Sequence, residues 1–99
     1  MPKLSALATH LLVRARATGQ VQRADLPKGA RVSVLVVGEQ VTMAFARCAK
    51  PLGDTELATF IAHCAVPAGA QRIPGEGQRE ITDGEGRTWH QVGYRWRDL

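Results

Sequence analysis

The chain predicts an α+β fold, a two-layer sandwich in the order α-β-β-α-β-β. Two helices lie on one face of a mostly antiparallel four-stranded sheet. Three patterns carry this expectation. Residues 31–48 alternate around Gly38-Glu39 as a hairpin, and residues 79–97 alternate again around Asp83-Gly84-Glu85-Gly86. Residues 3–18 and 54–65 instead repeat their apolar side chains at helical spacing. Helices segregated to one side of an antiparallel sheet are the simplest way to bury such faces.

The first hairpin is the strongest element. A two-residue turn with Gly first is a favoured connection, and it sets Val37 opposite Gln40. Val32, Val34 and Val36 then oppose Phe45, Met43 and Val41 on one face. Arg31, Ser33, Leu35, Val37, Gln40, Thr42, Ala44 and Ala46 fall on the other, which is left free for another use. Burying the core side chains contributes roughly 1.5–3 kcal/mol each before entropy is counted, so a charge at Val34 or Met43 is expected to unfold the domain.

Ahead of the hairpin, Leu4, Leu7, Leu11, Ala15 and Thr18 form a helical stripe widened by Ala8 and Leu12, with Gly19 as its stop. Residues 20–30 read as a connector with a turn at Leu26-Pro27-Lys28-Gly29. After the hairpin, Pro51-Leu52-Gly53 breaks the sheet and Asp54 reads as the N-cap of a second helix. Its stripe is Leu57, Phe60, Ile61 and Cys64, and it ends near Ala65 because Pro67 disfavours helical geometry at Val66.

Residues 67–78, with Pro67, Gly69, Pro74, Gly75 and Gly77, read as a loop. The second hairpin has strands near 79–82 and 87–97. Thr88, His90, Val92, Tyr94 and Trp96 share its inner face, and Arg87, Trp89, Gln91, Gly93, Arg95 and Arg97 share the other. Two α-β-β units in tandem suggest a topological repeat without sequence identity.

Ninety-nine residues suit a single domain spanning 1–99. No run approaches the ~18–20 apolar residues of a membrane span. Lys3 followed by Leu4–Val13 is broken by Ser5, Thr9 and His10, which fits an amphipathic helix better than a signal sequence, so a cytoplasmic location is expected. Two cysteines are too few for a disulfide scaffold, and Cys48 and Cys64 read as free thiols, with Cys64 on the core side of its helix. The chain has no Asn and ten Arg against three Lys, a bias expected of a GC-rich bacterial or phage genome.

Charge is uneven. Residues 1–50 carry eight basic and two acidic side chains (+6), and residues 51–99 carry five and seven (−2), for a net +4. Such a basic half suits a polyanion or an acidic protein surface. The candidate site is the sheet face opposite the helices, where Arg31, Arg87, Arg95 and Arg97 gather around Trp89 with Leu35 and Val37 nearby. Guanidinium groups can grip phosphate and an exposed indole can stack a base, whereas Trp and Arg also dominate protein hot spots. Alternatively, Trp89 packs over a sheet edge or under the 67–78 loop and the arginines form a solvated surface. The face has no aromatic-rich strand of the kind that reads single-stranded RNA.

Lys3, His10, Arg14 and Arg16 on the first helix, with Arg23 and Lys28 beyond it, could track phosphates with a steep salt dependence, but read better as a solvated face. A helix-turn-helix over 56–73 fails because Pro67 and Gly69 fall where the recognition helix would begin. His63 and Cys64 point about 100° apart, and no Cys-x-x-Cys or His-x-x-x-His occurs, so no metal or cofactor is expected. The stretches Gly75–Gly77 and Gly84–Gly86 do not join a strand to a helix and so cannot form a phosphate loop. No nucleophile has a base assembled beside it. The chain is therefore expected to be a non-enzymatic binding or adaptor protein, a bacterial or phage accessory factor. It would act on a protein partner, or as a homodimer, through the open sheet face or an edge strand. Nucleic-acid binding through the basic face with Trp89 is the alternative.

Overall fold

The computed structural model describes residues 4–73, 75 and 77–97; Lys3, Pro74 and Glu76, on which the sequence reading also drew, lie outside them. Helix α1 (Leu4–Thr18) leads into β1 (Gln22–Leu26), a single 3₁₀ turn at Pro27–Gly29, β2 (Ala30–Val37) and β3 (Gln40–Cys48). Helix α2 (Asp54–His63), β4 (Gln71–Ile73), β5 (Arg79–Thr82) and β6 (Thr88–Arg97) follow. The six strands form one sheet in the order β1-β2-β3-β6-β4, with β5 also paired to β6, and every pairing is antiparallel.

Among the described residues the fold is α+β with two helices, and the sheet has six strands where four are expected. The first extra strand, β1, occupies the supposed connector. Its inward-facing residues are Gln22, Ala24 and Leu26, of which only Leu26 is a large apolar side chain, so its alternation is faint. The second, β4, is three residues long within a Pro- and Gly-rich segment and exists because Gln71 to Ile73 can pair with Arg95 to Gly93. The order is thus α-β-β-β twice over, with the last strands of the two units, β3 and β6, paired antiparallel at the sheet centre.

The hairpin register is as expected. Val37 faces Gln40, and Val32, Val34 and Val36 face Phe45, Met43 and Val41. Gly38 takes φ +60°, the left-handed value the first residue of such a turn needs. The second hairpin's faces also match: Val92, Tyr94 and Trp96 pair with Phe45, Met43 and Val41, extending one apolar surface across β2, β3 and β6.

Both helices pack on that surface. Ala8, Leu11 and Ala15 of α1, Leu57 and Phe60 of α2 and Cys64 at its C-terminal cap join the strands in one buried cluster. Phe45 and Phe60 stack with centroids 5.6 Å apart. Gly19 ends α1 in the left-handed conformation, its N–H donating to the Ala15 carbonyl at 2.9 Å. The N-cap of α2 is Gly53, without a side-chain bond, and Asp54 is instead the first helical residue, where with Glu56 it complements the helix dipole.

Two contacts tie the β3–α2 connection down. Arg47, buried on the helix-side face of β3, pairs with Glu56 in the first turn of α2. The Gln78 side chain accepts from the Leu52 N–H at 2.9 Å and donates to the Leu52 carbonyl at 2.8 Å, as a strand neighbour would. Among the described residues, no helix is long and apolar enough to cross a membrane.

Candidate functional site

Neither helix covers the second face of the sheet. Across its centre the side chains are small: Ser33, Ala44 and Gly93 align across β2, β3 and β6, with Ala46 beside them. Ala44 and Ala46, on β3 in the middle of the sheet, are only 7% exposed. The result is a concavity of about 490 Å³ with those alanines as its floor and Leu35, Ile81 and Trp89 among its walls. Arg23, Arg31 and Gln91 contribute polar groups to it.

The seven residues expected at this face separate into two groups. Arg31, Leu35 and Trp89 line the central concavity, and Arg87 flanks Trp89 from the β5–β6 turn. Val37, Arg95 and Arg97 line a second depression of about 680 Å³ at the Gly38 end of the sheet, with Glu39, Gln40 and Gln71. Val37 is 63% exposed there. One continuous basic platform around an exposed indole does not form.

Trp89 is not the exposed stacking surface that base recognition needs, and is instead packed into the sheet. It is 9% exposed, lying between Cys48 on β3 and Ile81 on β5. The Arg31 guanidinium sits 4.2 Å from its ring centroid and that of Arg87 5.8 Å away. Its indole N–H donates to Asp83 Oδ2 at 2.9 Å. A ring so covered and tethered is a wall of the concavity and offers no free face to a base.

Asp83 organises the turn before β6. Its Oδ1 accepts the backbone N–H groups of Glu85 and Arg87, and its Oδ2 accepts Arg87 Nε as well as the Trp89 indole. The indole bond is the largest cause holding this carboxyl well below its usual range; burial, the next largest, opposes it, and the backbone bonds from Arg87 and Glu85 and the Arg87 side chain each add to the lowering. The available signal was Asp at the first position of an Asp-Gly turn, a residue type that bonds main-chain groups two residues on.

The remaining arginines are also engaged. Arg97 donates to Glu39 at 2.9 Å, Arg95 to Gln71 at 3.0 Å, and Arg87 to Glu85 at 3.0 Å in addition to Asp83. Arg31, besides its place over the Trp89 ring, makes a loose ion pair with Asp25 at 3.8 Å, and Arg23 makes no ion pair among the described residues. Cys48 is half-buried and Cys64 buried, both as free thiols. Burial pushes the Cys64 thiol up to about 11. Among the described residues, no three His, Cys, Asp or Glu side chains are grouped to hold a metal ion.

Comparison with protein-family models finds no match, and comparisons with curated proteins and with solved structures find none either.

Proposed function

We propose that this chain is a small non-enzymatic adaptor that receives a segment of a protein partner on the concave sheet face. The observation that carries this reading is the Ala44–Ala46 floor, walled by Leu35, Ile81 and Trp89 on a face neither helix covers. Apolar side chains of a partner would exclude water from that floor, the pattern of a desolvated interface centre within a polar rim. Arg23 and Arg31, the least neutralised cations of the concavity, favour carboxylates beside those apolar residues. Nucleic acid fits less well, because the indole is covered and most of the face's arginines already meet a carboxylate or amide.

The test is anisotropy of labelled single-stranded RNA, single-stranded DNA and duplex DNA, titrated with the protein at low and high salt. The adaptor reading expects no saturable binding at any salt concentration. Salt-sensitive binding lost in an Arg95→Glu, Arg97→Glu double variant would replace it with the nucleic-acid reading.

A further inference from the structure

The sheet has unequal edges. Beyond β6 lie two short strands, β4 of three residues and β5 of four, each pairing with a different part of it. At the other end β1 offers five consecutive residues, and among the described residues no strand lies beyond it. An unpaired strand of this kind is a template for another chain.

The hairpin fixes which β1 groups point outward. Val37 and Gln40 close a two-residue turn, so their main chains bond to each other. Alternation then turns the main-chain groups of Leu35, Ser33 and Arg31 toward β3, and those of Val36, Val34, Val32 and Ala30 toward β1. Gln22, Ala24 and Leu26 face Val34, Val32 and Ala30 and are thereby satisfied. The N–H and C=O groups of Arg23 and Asp25 are left pointing away from the sheet.

We propose that β1 pairs antiparallel with β1 of a second copy, with the two-fold axis at Ala24. In that register each Arg23 lies opposite the second copy's Asp25, and the outward main-chain groups of both residues bond across the seam. Any two-fold pairing must be self-complementary, and the sequence Arg23-Ala24-Asp25 is so by charge. Sliding the register to centre on Arg23 would set two arginines opposite each other, and centring on Asp25 would set two aspartates opposite each other. Charge therefore selects one alignment. Arg23 is exposed without an ion pair among the described residues, and the Asp25 side chain is 90% exposed, its contact with Arg31 being a loose one at 3.8 Å, so both can reach across the seam.

The pairing would join two six-stranded sheets into one, with the two concavities on either side of the seam. The inference stands on β1 and does not require that the concave face be a binding site.

Sedimentation velocity across a concentration series tests it, using the wild-type protein, Arg23→Asp, Asp25→Arg and the double swap. Each single variant sets like charges opposite each other, and the double swap restores opposite ones. The expected result is a concentration-dependent wild-type dimer, monomers for both single variants with unchanged circular dichroism, and a dimer again for the double swap. A wild-type monomer at every concentration overturns the proposal. A dimer indifferent to the single variants, or one the double swap fails to rescue, overturns it equally.

Discussion

The indole N–H of Trp89 donates to the Asp83 carboxylate at 2.9 Å, joining the start of β6 to the turn that precedes it. That bond makes the tryptophan part of the hairpin's own structure and holds one wall of the concavity in place. Because the Asp83 carboxyl is held below its ordinary value of 3.8, folding favours its ionised form. Its contribution is complete above the unfolded-state value, near pH 4, and is lost as pH falls from there toward the folded-state value. Asp83→Asn is expected to lower the thermal midpoint at pH 7 and to differ progressively less from wild type below pH 4. Parallel melts followed by tryptophan fluorescence check this, and a gap that persists unchanged to low pH would contradict it.

Arg47 and Glu56 pair where β3 meets α2, and the Arg47 Nε and Glu56 Oε1 atoms are buried without partners of their own. Removing one member leaves a charge poorly solvated, whereas replacing both with apolar side chains leaves none. Arg47→Met alone is expected to cost about 3 kcal/mol, and Arg47→Met with Glu56→Leu to recover most of that loss. Urea unfolding of both single variants and the double variant measures the coupling.

Phe45 is fully buried, stacked on Phe60, and packed against Tyr94 with centroids 6.4 Å apart. Phe45→Ala opens a cavity between sheet and α2 and is expected to cost about 3–5 kcal/mol. Chemical denaturation reads the loss directly.

With its thiol pushed up to about 11, Cys64 is ionised to roughly one part in ten thousand at neutral pH and lies out of reach of reagents. Cys48 is only half-buried. Iodoacetamide is therefore expected to modify Cys48 in the folded protein and Cys64 only after unfolding, as peptide mass mapping would show.

What the sequence disclosed follows the strength of each local signal. Valines alternating around a Gly-first turn specified the β2–β3 register to the residue, and the same alternation sorted β6 onto its two faces. Strands β1 and β4 escaped because tertiary pairing, more than their own composition, makes them strands. Gln22 and Ala24 carry too little apolar surface to announce an inner face, and β4 is too short for any period to emerge. At the site, the face of each residue was legible, but the exposure of Trp89 was not. Its burial depends on Arg31, 58 residues earlier in the chain, reaching over the ring, and on Asp83 accepting the indole N–H. The split of the arginines between two depressions likewise arises from distance along the strands, which alternation alone does not reveal.

The most direct measurement is photo-crosslinking in the native cell from a benzoylphenylalanine placed at Leu35, in the concavity, with the same group at exposed Thr59 of α2 as control. The adaptor account predicts a discrete protease-sensitive adduct from position 35 that is absent from position 59. A nuclease-sensitive adduct from position 35, or no adduct there while position 59 captures a protein, would contradict it.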